Sequence, residues 1–204
     1  VSKIIEANIA VFGQVKNSLL EMIKLLEAKK ELIDPKKILP WKEQISDWKS
    51  QHGLNHEMHL CETDDKPIMP QAVVQHLYNI TNGKAFITSD VGQHQMFAAQ
   101  YYHFDEPRKW INSGGLGTMG FGLPAAMGAK LAYPNDEVIC ITGEGSIQMC
   151  IQELSTCTQY NLPIKIININ NEALGMVKQW QDMNYGGRHS ASTYQSSLPN
   201  FVEL

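Results

Sequence analysis

Residues 138–146 read VICITGEGS, an apolar run that ends in a glutamate between two glycines. An apolar run of this length, bounded by glycines, is typical of a β-strand that is buried on both faces. The carboxylate of Glu144 therefore lies where a buried strand ends, and it needs a neighbour that offsets the loss of its hydration. A metal ion, a phosphate with its counter-ion and a plain turn are the three candidates.

The same pattern repeats from residue 70 to the end of the chain, where apolar strands alternate with helical segments. This alternation predicts the α/β class, a parallel sheet with helices on both faces. In such sheets, ligands bind at the carboxyl ends of the strands. The strands are predicted at residues 85–90, 109–113, 138–142 and 164–169, and the helices at about 70–80, 92–101, 123–131, 146–160 and 173–183.

Residues 1–69 follow a different pattern. IAVFG at 9–13 predicts a short buried strand, and we interpret residues 1–33 as the last strand and helix of a preceding domain. Residues 34–69 are polar and predict a linker with one helical segment around Trp41 and Trp48. The chain lacks an initiator Met and stops within PNFVEL, so we expect a fragment. The apolar face of the first helix comprises Val15, Leu19, Met22, Ile23 and Leu26.

Composition and charge argue against several classes of protein. With 204 residues, 43% of them hydrophobic, the chain can build one sizeable α/β domain and part of another. The formal net charge of −4 argues against a nucleic-acid partner and against an anionic-membrane surface. No stretch reaches the roughly 18 apolar residues of a membrane span. We therefore expect neither nucleic acid nor membrane as a partner.

Cysteine and histidine positions give little sign of a metal site. The four cysteines form no C-x-x-C pair, which favours reduced, buried thiols and a cytoplasmic location. His52, His56 and His59 are close in sequence and could indicate a metal site. Their surroundings are loop-like and no fourth ligand is evident, which argues against one.

The glycine-rich stretch GLGTMG at 115–120 matches the dinucleotide-binding pattern G-x-G-x-x-G, follows a strand and precedes a helix. In that pattern, an acidic residue ends the next strand and binds the ribose. Here Asp136 and Glu137 precede the next strand, and Glu144 lies inside its own glycine cluster. These positions argue against a Rossmann site for NAD or FAD.

The ends of two successive strands are more informative. Glu144 ends one strand and Asn171 ends the next, with one crossover helix between them, so the two strands can lie side by side. Carboxylate and amide oxygens are ligands that suit Mg²⁺, which completes its octahedron with phosphate oxygens and water. Gly145 and Ser146 open a helix whose N-terminus favours an anion. The alternatives are a metal-bridged diphosphate, or a glycine turn with a solvated Glu144 and a capping Asn171.

At these residues the chain resembles a known family. GEGS followed by NN is similar to the thiamin-diphosphate motif G-D-G…N-N, although the family has Asp where this chain has Glu144. TSDVGQHQMFAAQYY, WINSGGLGTMGFGLPAAMGAK and LGMVKQWQDM resemble the catalytic large subunit of acetohydroxyacid synthase (acetolactate synthase). The resemblance implies that residues 70–204 form the thiamin-diphosphate pyrophosphate-binding domain. It implies that residues 1–33 end the middle, FAD-holding domain.

The resemblance also implies roles for individual residues. Thiamin diphosphate and Mg²⁺ are the implied cofactors, with FAD in the full-length enzyme. Met119, beneath the thiazolium, and Trp180, beside the second substrate, are the implied catalytic residues. The implied metal ligands are Glu144, Asn171 and the carbonyl of Ala173. The implied cofactor-binding residues are Val91, Gly92, Gln93, His94, Gly117, Met119, Gly143, Gly145, Ser146, Asn171, Gly175, Met176 and Val177.

The implied reaction is the decarboxylation of pyruvate and transfer of the two-carbon unit to pyruvate or 2-oxobutyrate. The products are 2-acetolactate or 2-aceto-2-hydroxybutyrate, precursors of branched-chain amino acids. The implied partners are a second copy, in a homodimer or larger assembly through the missing pyrimidine domain, and a small regulatory subunit. We expect the fragment alone to be inactive. Another thiamin-diphosphate decarboxylase or carboligase, or a non-catalytic cofactor-binding module, remains open as an alternative.

Overall fold

The structure, a computed structural model, describes residues 2–54, 67–194 and 196–204. The chain divides into two units, Val1–Asn55 and His56–Leu204.

The first unit is helical in its described residues. Helix α1 spans Val15–Ala28 and helix α2 spans Leu39–His52, with short 3₁₀ turns at Lys30–Leu32 and Pro35–Ile38 between them. Both helices agree with the sequence pattern, and the predicted apolar face of α1 has no buried residue. On α2, the rings of Trp41 and Trp48 meet edge to face with 5.5 Å between centroids.

The predicted strand at 9–13 is wrong. These residues form no strand, and Ile9 is 84% exposed while Phe12 is fully exposed. A strand needs a neighbouring strand to bond its backbone groups. All strands among the described residues belong to the sheet of the second unit, so residues 9–13 have no strand to pair with.

The second unit contains a four-stranded parallel sheet in the order β2-β1-β3-β4, which confirms the predicted fold class. Ile87 of β1 pairs with Trp110 of β2 and with Ile139 of β3, and Cys140 of β3 pairs with Ile166 of β4. The strands are β1 Phe86–Ser89, β2 Trp110–Asn112, β3 Val138–Gly143 and β4 Lys165–Ile169. The helices are α3 Pro70–Thr81, α4 Gln93–Tyr101, α5 Gly122–Ala132, α6 Glu144–Ile147, α7 Glu153–Gln159 and α8 Gly175–Tyr185.

Helices cover both faces of this sheet, and β3 shows why its sequence is apolar throughout. Ile139 and Ile141 pack in one core cluster with residues of α3 and α4. Val138 and Cys140, which point to the opposite face, pack in a second cluster with residues of α5. All six residues of β3 are buried. Burial on both faces removes the polar alternation that a half-exposed strand would show.

The predicted helix at 146–160 is interrupted. The structure has the short helices α6 and α7, with turns at residues 148–152. Cys150 N–H donates to the carbonyl of Ile147 at 3.1 Å, and Glu153 N–H to that of Cys150 at 3.0 Å. These i→i−3 bonds wind the chain more tightly than an α-helix and align side chains three residues apart. Ile147 and Cys150 thereby face the same core cluster.

The remaining compositional predictions concern thiols, metal ligands and membrane spans. Cys140 and Cys150 are buried and free, Cys157 is free and half-buried, and Cys61 lies outside the described residues. His56 and His59 also lie outside them, and no group of three His, Cys, Asp or Glu in the described part could hold a metal. No helix within the described ranges is long and apolar enough to cross a bilayer.

Candidate functional site

The carboxyl ends of β1, β3 and β4 border a cavity of about 240 Å³. Most of the cofactor and metal positions implied by the family resemblance lie in its wall, including Gly143 at the end of β3. Its lining consists of Pro70, Val91, Gly92, Gln93, His94, Phe97, Met119, Gly143, Glu144, Gly145, Ser146, Ile169, Asn171, Ala173, Leu174, Gly175, Met176 and Val177.

Glu144 is the first residue of α6, and its side chain is buried, with 2% of the residue exposed. Its Oε1 accepts a hydrogen bond from the backbone N–H of Ala173 at 2.8 Å. Burial raises the pKa of the carboxyl, and hydrogen bonds from backbone N–H groups oppose that rise in part. No lysine, arginine or histidine of the described ranges forms an ion pair with it. The carboxylate is thus buried beside a cavity without a protein cation.

Asn171 lies beside Glu144 because β3 and β4 are neighbours in the sheet. Its Oδ1 accepts from the same Ala173 N–H at 3.2 Å. Its Nδ2 donates to Oε1 of Gln93, at the start of α4, at 3.0 Å. One backbone N–H therefore bonds both side-chain oxygens, which brings together the pair that the strand ends predict.

His94 lies over two glycines. A Cβ added at Gly92 or at Gly143 would lie 2.7 Å from an atom of the His94 ring, so both positions need glycine to admit the imidazole. The residue is 8% exposed, and its buried Nε2 has no hydrogen-bond partner among the described residues. Burial lowers the pKa of His94 to about 4, against the opposing charge of Asp90. The ring is neutral at pH 7, with one nitrogen left for a ligand.

Asp90 follows β1 and is fully buried, and hydrogen bonds within the protein account for the burial of its carboxylate. Its Oδ1 accepts from the backbone N–H of Gly122 at 2.8 Å, and its Oδ2 accepts from the Thr142 hydroxyl at 2.7 Å. Both carboxylate oxygens are therefore bonded within the protein. Asp90 ties the start of α5 to the sheet and does not line the cavity.

Gly145 is packed closely by side chains from other elements. A Cβ at this position would lie 2.4 Å from the Tyr194 hydroxyl oxygen, 2.9 Å from Leu174 Cδ2 and 3.4 Å from Met119 Cε. Any larger residue would displace Tyr194 or Leu174. Tyr194 is held there because Thr193 forms an antiparallel bridge with Ala173.

Two implied residues lie outside the cavity wall. Gly117 has a φ of +64°, and a Cβ there would have Val91 Cγ1 at 3.8 Å as its neighbour. Trp180 is 62% exposed on α8. Sequence reasoning missed the wall residues Pro70, Phe97, Ile169 and Leu174, as well as Tyr194. Phe97 follows His94 by one helical turn and Ile169 ends β4, so periodicity and strand position could have indicated these two.

Comparison with known proteins assigns the chain to a protein family. Residues 90–204 match the family "Thiamine pyrophosphate enzyme, C-terminal TPP binding domain". The chain belongs to this family. Membership confirms the resemblance to thiamin-diphosphate enzymes, and thiamine pyrophosphate (thiamin diphosphate) is the cofactor of this domain.

The TPP-binding chain is also similar to individual acetolactate synthases. It is 55% identical to the acetolactate synthase large subunit of Buchnera aphidicola subsp. Schlechtendalia chinensis. It is 53% identical to the acetolactate synthase isozyme 3 large subunit of Escherichia coli (strain K12). Both comparisons cover 100% of this chain and 34% of the relative. The chain therefore spans about a third of the length of the curated relatives it matches.

The cavity of the TPP-binding domain has groups that fit a diphosphate and a divalent cation. Oxygens of Glu144 and Asn171 supply hard ligands. The first intrahelical bond of α8 runs from Lys178 N–H to the Leu174 carbonyl at 2.9 Å, so the N–H groups of the preceding turn are free of helical partners. Three residues of that turn, beginning with Gly175, line the cavity. These N–H groups can bond an anion.

Proposed function

We propose that this chain is the cofactor-binding part of an acetolactate synthase catalytic subunit. The full-length protein would decarboxylate pyruvate and transfer the two-carbon unit to pyruvate or 2-oxobutyrate, giving 2-acetolactate or 2-aceto-2-hydroxybutyrate. The observation that carries the proposal is the buried, uncompensated Glu144 beside Asn171 in a cavity at the sheet edge. The identity of 53–55% over the whole chain to proteins named acetolactate synthase large subunit supports the specific reaction.

In this proposal the metal site is built from three oxygens. Glu144 and Asn171 supply side-chain oxygens and Ala173 its carbonyl, to hold Mg²⁺. The raised pKa of Glu144 reflects the cost of an uncompensated buried carboxylate, and a cation removes that cost. Glutamate is one methylene longer than the family's aspartate, so its carboxylate reaches farther from the backbone.

The diphosphate would be held by backbone and uncharged groups. Residues from the first turns of α4 and α8 line the cavity, where N–H groups without helical partners can bond an anion, and Gln93, His94 and Ser146 lie in its wall. His94 is neutral at physiological pH, so it adds no positive charge to the site. The charge of the diphosphate is therefore offset by the metal and the helix dipoles.

The apolar part of the wall would exclude water from the reacting centre. Met119, Leu174, Met176 and Val177 supply apolar side chains to the cavity. Bound thiamine pyrophosphate supplies the stabilisation of negative charge on the substrate carbon that decarboxylation requires. Trp180, outside the cavity wall but on the same helix as Met176, would face the acceptor 2-oxoacid.

Partners and location follow from the same proposal. We expect a homodimer or larger assembly, a small regulatory subunit, and FAD in the full-length protein. The segments outside this chain, about two-thirds of each relative's length, would supply the contacts for these partners. We also propose a cytoplasmic location, which the free thiols of Cys140, Cys150 and Cys157 support because such thiols persist in reducing compartments.

A product assay on the full-length protein tests the proposal. The protein is incubated with pyruvate, thiamine pyrophosphate and Mg²⁺, and acetolactate is measured, with each component omitted in turn. Acetolactate that requires both cofactors is the expected result. Acetaldehyde or another ligation product would assign a different thiamine pyrophosphate enzyme, and cofactor binding without turnover would indicate a non-catalytic module.

A further inference from the structure

Three side-chain amides form a chain of hydrogen bonds that leads away from the cavity. Asn171 Nδ2 donates to Gln93 Oε1 at 3.0 Å, and Gln93 Nε2 donates to Gln179 Oε1 at 3.0 Å. The three residues come from the end of β4, the start of α4 and the middle of α8. Gln179 does not line the cavity. Its hydrogen bond to Gln93 links it to the site.

The direction of these bonds acts together with the Ala173 N–H, from which Asn171 Oδ1 accepts, to orient the Asn171 amide. A primary amide has one end that accepts and one end that donates. Because Gln179 accepts from the Nε2 of Gln93, the Oε1 of Gln93 faces Asn171. That oxygen accepts from Nδ2 of Asn171, so the Oδ1 of Asn171 lies on the side of Glu144. There, Asn171 Oδ1 and Glu144 Oε1 both accept from the Ala173 N–H.

Gly175 makes this arrangement possible. A Cβ at Gly175 would lie 2.1 Å from Gln93 Oε1 and 2.8 Å from Asn171 Nδ2, so the two amides meet over a position without a side chain. Gln179 lies one helical turn after Gly175 on the same helix. It is therefore placed over the far end of the Gln93 amide.

We propose that Gln179 is a positioning residue for the metal site: through Gln93, it sets the orientation of the Asn171 amide so that its oxygen faces the cation. This inference rests on the proposed metal role of Asn171. The amide nitrogen of Gln93 carries two N–H groups and uses one of them on Gln179. The other N–H is available to the diphosphate.

The test is a double-mutant cycle on the full-length protein. Gln179→Met keeps the length of the side chain and removes its amide. Asn171→Asp replaces the amide by a carboxylate whose two oxygens are equivalent, so no orientation is needed. The measurement is the Mg²⁺ concentration at half-maximal thiamine pyrophosphate binding, by calorimetric titration, with thermal unfolding of each variant recorded in parallel.

We expect Gln179→Met to raise that Mg²⁺ concentration by about fivefold in the Asn171 background, the usual size for one lost hydrogen bond. In the Asn171→Asp background, the same change should not raise it, because the carboxylate has no amide nitrogen to donate to Gln93. Gln100→Met, at an exposed position of α4, is the matched control and should leave the titration unchanged.

Equal effects of Gln179→Met in both backgrounds would overturn the proposal, because they would indicate a general structural role in α8. No effect in either background would overturn it as well, while leaving the proposed function intact. Absence of Mg²⁺-dependent cofactor binding in the unmodified protein would overturn the proposed function and this inference together.

Discussion

Glu144 shows how a single residue can be costly for folding and useful for binding. Its carboxylate is buried next to backbone N–H groups, and burial raises its pKa. A raised folded-state pKa means that the folded protein holds this proton more tightly than the unfolded chain does. Stability in the absence of metal is therefore lost as the pH rises through the interval between the unfolded and folded pKa values.

We predict that Glu144→Gln has opposite effects on stability and on binding. It removes the buried charge and keeps an oxygen that accepts from the Ala173 N–H. The melting temperature of the metal-free protein at pH 7 should therefore rise, by about 2–4 °C for each kcal/mol gained in the free energy of unfolding. The same change should weaken Mg²⁺-dependent cofactor binding by about tenfold or more, because a cation ligand loses its charge. Melting curves without Mg²⁺ and calorimetric titration with it measure the two effects.

Glu144→Asp is the matched control, since it keeps the charge and restores the Asp of the thiamin-diphosphate motif that the sequence resembles. It should leave Mg²⁺-dependent binding unchanged or tighten it. If Glu144→Gln bound the cofactor as well as the unmodified protein, with the same Mg²⁺ dependence, Glu144 would be a turn residue.

His94 gives a pH dependence of the opposite sign. Its folded-state pKa is about 4, below the ordinary value of 6.5, because burial disfavours the imidazolium. The unfolded chain binds this proton more tightly, so His94 contributes stability above pH 6.5 that is lost as the pH falls towards 4. We predict a loss of up to about 3 kcal/mol over this range.

Chemical denaturation between pH 4 and pH 7 measures this contribution, and NMR titration of the His94 ring measures its pKa directly. His94→Gln should flatten the pH dependence of unfolding. A ring that titrates near 6.5 in the folded protein would contradict the prediction.

At the scale of elements, the first turn of helix α8 lines the cavity, and the rest of the helix carries the exposed side chain of Trp180. Met176 and Val177 line the cavity, and Trp180 follows Met176 by one turn. The segment after α8 returns towards the cavity, where Ser192 donates to Gln181 Oε1 at 2.7 Å. These contacts hold the returning segment against α8.

We predict that Trp180→Leu in the full-length protein alters the choice between pyruvate and 2-oxobutyrate more than it alters cofactor affinity. A change in pocket size of one or two methylenes is worth about 1–3 kcal/mol of discrimination. Competition between the two acceptors gives the product ratio. Tyr185→Leu, at another exposed aromatic on α8, should leave the ratio unchanged, and an unchanged ratio in Trp180→Leu would remove Trp180 from the acceptor site.

At the scale of the whole molecule, we propose that this chain carries one part of a catalyst. Its second unit contains the cavity with the proposed metal and diphosphate groups. The chain covers 34% of the length of its relatives. We propose that the segments that activate the cofactor and complete the substrate site lie in the rest of the protein.

We predict that residues 1–204 alone produce no acetolactate from pyruvate, whatever their affinity for the cofactor. The assay compares the purified chain with the full-length protein at equal concentration, with thiamine pyrophosphate and Mg²⁺ present. Cofactor binding to each is measured by calorimetry as the control for folding. Measurable turnover by the chain, free of contaminating enzyme, would contradict this division of labour.

The fold of the second unit was largely predictable because it follows from local patterns. Apolar strands alternate with amphipathic helices, and such a sequence buries its apolar faces only in a parallel sheet with helices on both sides. The predicted strand at 9–13 failed because strand formation needs a partner, which an apolar run does not specify. The prediction of a continuous helix at 146–160 failed because the packing of Ile147 and Cys150 overrides helical propensity at 148–152.

The sequence by itself determined the class of the sheet, the edge at which the cavity lies and the glycines at that edge. These properties depend on neighbouring residues and on the twofold and 3.6-fold periods of strands and helices. Only the tertiary structure decided that Asn171 bonds Gln93 across 78 positions, that Gln93 bonds Gln179 across 86, and that Tyr194 reaches Gly145. Contacts at such separations depend on how whole elements pack, and no local pattern encodes the distance between two side chains on different elements.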